Sequence, residues 1–318
     1  MIRYTLIRLA SLPLTMLVVS ALTFSIVHLV PGDAVDVLGG ENLTEHDRSR
    51  LRAQYGLDQT LPVQFVRWLG SAIQGDLGVS IRTNRPVLDE VMARMGTTVE
   101  LALLSILIAL TVGIVGGTLA TRWRDSWIDK VIMSASIIGM SIPNYFAATT
   151  FILLVSFYAP KFGVVSYVKF GIDPLVNLQS LLFPALSLGL LSGASFCRYF
   201  RAAAEDIIRS ADFIRTAKAK GASEWRTLVH HTLPNSLLPL ATVAGLQFAY
   251  LIGGAVVIET IFAIPGIGQL MIASIAQRDY LVVQGCILLQ TVIFVVINLL
   301  VDLSYPLLDP RVRISKTN

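Results

Sequence analysis

Six stretches of more than twenty residues carry no Asp, Glu, Lys or Arg: Leu9–Val30, Leu101–Thr121, Val131–Pro160, Pro174–Cys197, Leu233–Ile258 and Tyr280–Val301. About 20 apolar residues in a helix cross the hydrocarbon core of a bilayer, so each run is long enough to span one. Thr260–Gln277 is a weaker seventh, broken by "IPGIG" and parted from the next run only by Arg278 and Asp279, too little chain to turn between two crossings. A mean hydropathy of +0.68 and 14% charged residues fit this reading. The chain is expected to be an all-α, polytopic membrane protein with six transmembrane helices.

The basic residues set the orientation. With six spans and both termini in the cytoplasm, the inner segments 1–8, 122–130, 198–232 and 302–318 hold 15 of the 25 Lys and Arg. A seventh span would place Arg311, Arg313 and Lys316 outside. Basic residues scattered between apolar runs are topology signals, so no nucleic-acid partner is expected. The first run follows Arg3 and Arg8 as a signal peptide would, but it is long and lacks a small-x-small cleavage site, which favours a retained anchor. Three regions follow: 1–30 with the first span, 31–100 as an external helical loop, and 101–318 as a core of five spans. Within the loop, Thr44 with Asp47 resembles a capping box, Pro62 opens a helix, and Val87, Leu88, Val91, Met92 and Met95 recur at helical spacing after Pro86. That loop reads equally as a cap on the membrane face or as a platform for an outside partner.

Between spans four and five lies a polar segment, at about 202–234, on the side marked as cytoplasmic. A helix from Ala202 to Lys220 would end at Gly221, the residue that best tolerates a left-handed C′ position. Ser223 can cap a short second helix, "EWRTLVHHT", that Pro234 is expected to stop. Trp225, Leu228 and Val229 fall on one face of it as an apolar knob ringed by Glu224, Arg226 and His230. One reading is an interfacial helix with Trp225 at the lipid headgroups; the other is a contact made for a partner in water.

The spacing Ala217, Ala219, Gly221, then Leu233 and Pro234, followed at once by a span, resembles the "EAA…G…I-LP" loop of ABC importer permeases. At that motif's glutamate stands Arg215, its two alanines align with Thr216 and Ala217, and its isoleucine with His231, while Gly221, Leu233 and Pro234 fit. "RTAKAKGASEW", "ETIFAIPGIGQL", "QRDYLVVQG", "SIPNYF", "YGLDQTLPVQFVRWL" and "LLDPRVR" are similar to the dipeptide, oligopeptide and nickel branch. The resemblance runs from Met1 nearly to Arg313. It implies a bacterial inner-membrane permease subunit carrying peptides, or alternatively nickel, another metal chelate or glutathione. The implied partners are a second homologous permease, two ABC ATPase subunits and an external substrate-binding protein. It also implies that Ala217, Gly221, Ala222, Ser223, Trp225, Leu228, Leu233 and Pro234 form the coupling helix region that docks into a cleft of the ATPase. The chain has no G-x-x-x-x-G-K-[ST] phosphate loop, so ATP and Mg would be bound by those partners and no cofactor by this chain.

Glu259 sits between "GGAVVI" and "TIFAIPGIG", and an ionisable group beside lipid is a functional candidate. It reads otherwise as the outer end of span five. The resemblance puts this region at the outer mouth, which makes Phe262, Pro265 and Gly266 gate candidates beside Glu259. Pro143 should kink span three, with Ser141 and Asn144 satisfying freed backbone groups, so Pro143 and Asn144 are pathway candidates. Neither catalytic nor metal-binding residues are expected: His230 and His231 are adjacent, His28 and His46 solitary, and Cys197 and Cys286 lie in or beside apolar runs. An ion-coupled secondary transporter would need mid-membrane acids beyond Glu259, and an intramembrane enzyme a pair of acids or a Ser-His pair within its spans.

Overall fold

The computed structural model describes residues 2–29, 46, 49–50, 58–158 and 167–308. The capping box at Thr44 and the C-terminal "LLDPRVR" lie largely or wholly outside them. The described residues are helical apart from turns, extended connections and one isolated bridge, Val79 to Pro86. In order the helices are α1 (Ile2–Leu29), α2 (Leu61–Ile73), α3 (Val87–Arg122), α4 (Trp127–Ser141), α5 (Asn144–Tyr158), α6 (Pro174–Ser210), α7 (Asp212–Ala219) and α8 (Glu224–Thr227). A π-helical turn, Leu228–Thr232, follows, and then α9 (Leu233–Ile261), α10 (Ile267–Ala276) and α11 (Tyr280–Leu308).

Among the described residues four helices, α3, α6, α9 and α11, are long and apolar enough to cross a membrane. The α4–α5 pair passes the same test together but is bent by 102°. The first apolar run falls on α1, a 28-residue helix with Pro13 inside it. α10 is too short to cross, as its Pro-Gly interruption leads one to expect.

Two expected boundaries are corrected. The helix after Pro86 does not end inside the external loop but continues as span two in one 36-residue helix, because the five residues between Met95 and Leu101 include no proline and a single glycine, Gly96. The polar helix expected from Ala202 is likewise the continuation of span four, since α6 runs unbroken for 37 residues. Asp173 caps its start, accepting from Leu175 and Val176 N–H at 3.0 and 3.1 Å, with Pro174 in the first turn.

The chain forms two compact units. In the first, Val99–Ile264 with Val296–Asn318, α6 is the central element: α4, α5 and α9 pack on it, and 67% of its apolar window is buried against 28–33% for the other spans. Small residues permit the approach of α3. A methyl on Gly113 would lie 2.3 Å from Phe196 Cβ, and one on Gly117 2.7 Å from the Phe200 ring. Gln247 on α9 donates to Ser192 Oγ on α6 at 3.1 Å, and Glu100 accepts from Tyr167 and Asn177.

The second unit, Ile2–Thr98 with Pro265–Val295, has a core of Leu77, Val87, Val91, Ile267, Leu270, Val282 and Cys286. Two buried polar links fasten it: Ser80 Oγ donates to Asp279 Oδ2 at 2.6 Å, and Ile267 N–H donates to Thr98 Oγ1 at 2.9 Å. Phe24, Phe65 and Trp68 form an aromatic cluster in which α1 meets α2.

Candidate functional site

The polar loop after α6 is built by backbone chemistry the sequence announces. α6 ends at Ser210, where Ala211 turns extended, and α7 begins at Asp212. Ile214 is buried and anchors α7, while Phe213, Arg215, Thr216 and Lys218 are exposed. Gly221 has φ +82°, its N–H donates to Lys218 C=O at 2.9 Å, and Ala222 N–H donates to Ala217 C=O at 3.0 Å. That bond pair is a Schellman closure, and it needs the left-handed residue that glycine supplies without strain. Ser223 Oγ then accepts from Arg226 N–H at 3.3 Å, the expected cap.

The second helix departs from expectation. α8 has four residues and opens directly into the π turn, which joins α9. Pro234 therefore does not stop a helix; it occupies the first turn of α9, where its missing N–H costs nothing. This geometry divides the expected knob. Trp225 is 54% exposed, with Gly221, Ser223, Glu224 and Arg226 exposed around it, whereas Leu228 is only 4% exposed and belongs to the root. Thr227 and Thr232 are buried beside it, and Ala217, Ala222 and Leu233 are half-buried.

Ion pairs lie at the root and beside it. Arg122 Nη1, at the end of α3, lies 3.1 Å from Glu224 Oε2. Arg124 reaches Glu205 of α6 at 3.0 Å, and Glu205 also receives Arg201 at 3.1 Å. Arg201 clasps Asp129 in a fork, Nε to Oδ1 at 2.7 Å and Nη2 to Oδ2 at 2.6 Å. Asp129 precedes the apolar run of span three and Arg201 follows that of span four, so the pair lies outside both. The guanidinium holds the Asp129 carboxyl below the usual carboxylate range, overcoming the burial that would raise it. A cavity of about 300 Å³ opens beside this network, with Arg122, Arg124, Lys218, Glu224, Thr227 and Leu228 among its lining residues.

Sequence reasoning took these arginines as topology signals and missed the network. Its visible trace was the i, i+4 spacing of Arg201, Glu205 and Arg209 on one helix; the partnership of Arg201 with Asp129 is tertiary and leaves no local pattern.

The pathway candidates are distributed over both units and are described within each. Pro143 does more than kink span three: the helix stops at Ser141, Ile142 is extended, and α5 restarts at Asn144. The residue before a proline is driven out of the helical region, and here that restriction ends the helix. Ser141 Oγ bonds back to Ile137 C=O at 2.9 Å, while Pro143 is exposed and Asn144 half-buried. In the same unit Glu259 is fully buried in the last turn of α9, with Phe262 buried beyond it. α9 closes as α7 does: Ala263 N–H bonds to Thr260 C=O, and Ile264 N–H to Glu259 C=O at 2.8 Å. Here the left-handed position is filled by Ala263, with φ +53°. In the other unit, Gly266 is buried at the N-cap of α10 and Pro265 is half-buried. Among the described residues no group of three His, Cys, Asp or Glu side chains could hold a metal.

Two family models match the chain. One, described as "Binding-protein-dependent transport system inner membrane component", covers residues 99–314; the other, "Binding-prot-dependent transport system membrane comp, N-term", covers residues 1–102. A Brucella abortus protein whose name assigns it to a peptide transport system as permease is 40% identical over 298 residues, 94% of this chain and 95% of that one. The glutathione transport system permease protein GsiC of Escherichia coli K12 is 37% identical over 313 residues, 98% of this chain and 99% of its own length.

Proposed function

The chain belongs to the family of inner-membrane components of binding-protein-dependent transport systems, and from that premise we propose that it forms half of the pathway of an ATP-driven importer of peptides. It performs no covalent chemistry. A binding protein outside delivers the cargo, two ATPases inside supply the energy, and a second, homologous permease completes the pathway. The names of the relatives support peptide cargo. GsiC transports glutathione by its name, and glutathione is itself a tripeptide, so a short peptide with free carboxylates is the common chemistry.

In this reading the membrane core of 101–318 carries five of six spans, 1–30 the first, and 31–100 the external loop, with both ends cytoplasmic. The segment 202–234 transmits ATPase motion. The observation that carries the proposal is the division of that segment into an exposed tip and a fixed root. Trp225 stands out in water beside Glu224 and Arg226, an uneconomical place for a large aromatic unless a partner covers it. Leu228, Thr227 and Thr232 are locked below, and the π turn runs without interruption into α9. A push on the tip is thereby delivered to a span. Gly221, Ala222 and Ser223 shape the tip; Ala217, Leu228, Leu233 and Pro234 form its base. Glu259, Phe262, Pro265 and Gly266 serve the outer gate, and the break at Pro143 and Asn144 shapes span three along the pathway.

The test is Gly221→Val. A β-branched residue at φ +82° breaks the turn that presents the tip. ATP-driven uptake of a labelled dipeptide by whole cells should be abolished while the chain still inserts in the membrane at the normal level. Normal uptake by the variant would overturn the reading.

A further inference from the structure

We infer that the cavity at the root of the polar loop binds a phosphate-bearing anion. Its charged lining is three cations, Arg122, Arg124 and Lys218, against one carboxylate, Glu224. Glu224 is already engaged by Arg122 at 3.1 Å. Lys218 has no acidic partner among the described residues. Arg124 is ion-paired twice, Nη2 with Glu205 at 3.0 Å and Nε with Asp125 at 3.4 Å. On the opposite wall Thr227, 3% exposed, has a buried Oγ1 without a hydrogen-bond partner. A buried hydroxyl left unpaired costs about 1–3 kcal/mol, so Thr227 Oγ1, on a residue that lines the cavity, marks a place where a partner is wanting.

An anionic occupant suits the lining, because Lys218 is left without a carboxylate partner, and it must offer oxygens in several directions, because the polar groups come from α7, the α3–α4 turn and α8. A tetrahedral phosphate does this; a planar carboxylate offers only two oxygens in one plane. Arginine forks are suited to phosphate, with lysine contributing a point charge. The volume of about 300 Å³ is at the lower end of small-ligand sites, roughly 300–1,000 Å³, and far exceeds the roughly 30 Å³ share of one water. Ile208 and Leu228 supply an apolar side for whatever carries the phosphate. Two sources share this chemistry: an anionic phospholipid headgroup reaching in from the inner leaflet, and a soluble phosphate compound. Occupancy would compete with Glu224 for Arg122 and so act on the helix that bears Trp225. The binding claim itself does not depend on the coupling role of the loop, because it is read without transport.

The experiment uses the whole transporter with its companion subunits, purified with the ATPase sites filled by a non-hydrolysable ATP analogue. Binding of labelled inorganic phosphate is measured by equilibrium dialysis. In parallel, complexes in nanodiscs holding equal phosphatidylglycerol and phosphatidylcholine are examined by native mass spectrometry for retained lipid. The variants are Lys218→Gln, Thr227→Val and the double substitution, all conservative in volume, with thermal unfolding as the control on folding. The expected result is selective retention of phosphatidylglycerol or saturable phosphate binding in the wild type, weakened about tenfold in the double variant without a shift in melting temperature. Lipid retention alone identifies a headgroup site, and phosphate binding alone a soluble ligand; both support the inference. Absence of both, or equal binding by wild type and double variant, overturns it. If ATP-coupled uptake proves indifferent to the loop while the tenfold difference persists, the coupling reading falls and the anion site stands.

Discussion

The polar loop at 211–232 and the compact region around Leu77, Val87 and Ile267 are made from the same part and held in opposite ways. In each, a short helix ends in a left-handed residue closed by paired backbone bonds, at Gly221 after α7 and at Gly75 after α2. Around Leu77 the apolar side chains turn onto one another, and two buried polar links, Ser80 Oγ to Asp279 and Ile267 N–H to Thr98, run through that core. The polar loop leaves its largest apolar residue, Trp225, exposed; its base is held by the buried Ile214, Thr227, Leu228 and Thr232 and by one ion pair, Glu224 with Arg122. A loop with a buried base and an exposed aromatic tip is the part proposed above to meet a partner.

That contrast can be broken at several points. The largest effect should come from Asp129→Asn, which leaves Arg201 with Glu205 as its remaining carboxylate partner; loss of about 1.5–3 kcal/mol is expected, read as a lower melting temperature in detergent. The pH dependence has a definite sign. Because the Asp129 carboxyl is depressed in the folded state, its contribution persists above the ordinary carboxylate value and is lost as pH falls through the depressed value. Wild-type stability should therefore show a loss at acid pH that Asp129→Asn lacks. A variant as stable as wild type would mean that the Asp129–Arg201 pair does not hold the fold.

Trp225→Ala should do the reverse, leaving the melting temperature unchanged while lowering ATP-coupled uptake about tenfold or more, since a central interface aromatic is worth about 2 kcal/mol or more. A fall in melting temperature with normal uptake would make Trp225 a structural residue. In the apolar region, Gly285→Ala puts a methyl 2.5 Å from Val87 Cγ1 and should cost about 1–3 kcal/mol of stability, measured by thermal unfolding. Its effect on uptake should follow the loss of folded protein alone. The smallest effect should be that of Ser223→Ala, which removes the α8 cap for about 1 kcal/mol. Uptake should fall modestly, and Ser223→Asp, which keeps a capping oxygen, should restore it.

How much of this the sequence disclosed depended on the range of the interaction responsible. Gly221 and Ser223 act through bonds to residues within a few positions, and both were legible. So was the short, non-crossing nature of α10, from Pro265 and Gly266. Prolines were ambiguous because one residue obeys two rules: Pro234 could end a helix or open one, and the continuous turn from Leu228 into α9 decides for opening. Pro143 could kink or break, and the extended Ile142 makes it a break with a 102° bend. Leu228 was assigned to the exposed knob by α-helical spacing. The π turn that begins there alters the angular step, and Leu228 faces inward. The least legible features were the pairs Asp129–Arg201 and Ser80–Asp279, whose members are 72 and 199 positions apart.

The central claim is that Trp225 meets an ATPase in the cytoplasm. It is tested most directly by placing a photo-crosslinking amino acid at position 225 in the full chain, irradiating intact cells, and identifying the adduct by mass spectrometry. The account predicts a covalent adduct to a subunit carrying a G-x-x-x-x-G-K-[ST] phosphate loop, with none from the same probe at exposed Tyr158. Adducts to lipid alone at position 225 would contradict it and make the loop an interfacial anchor.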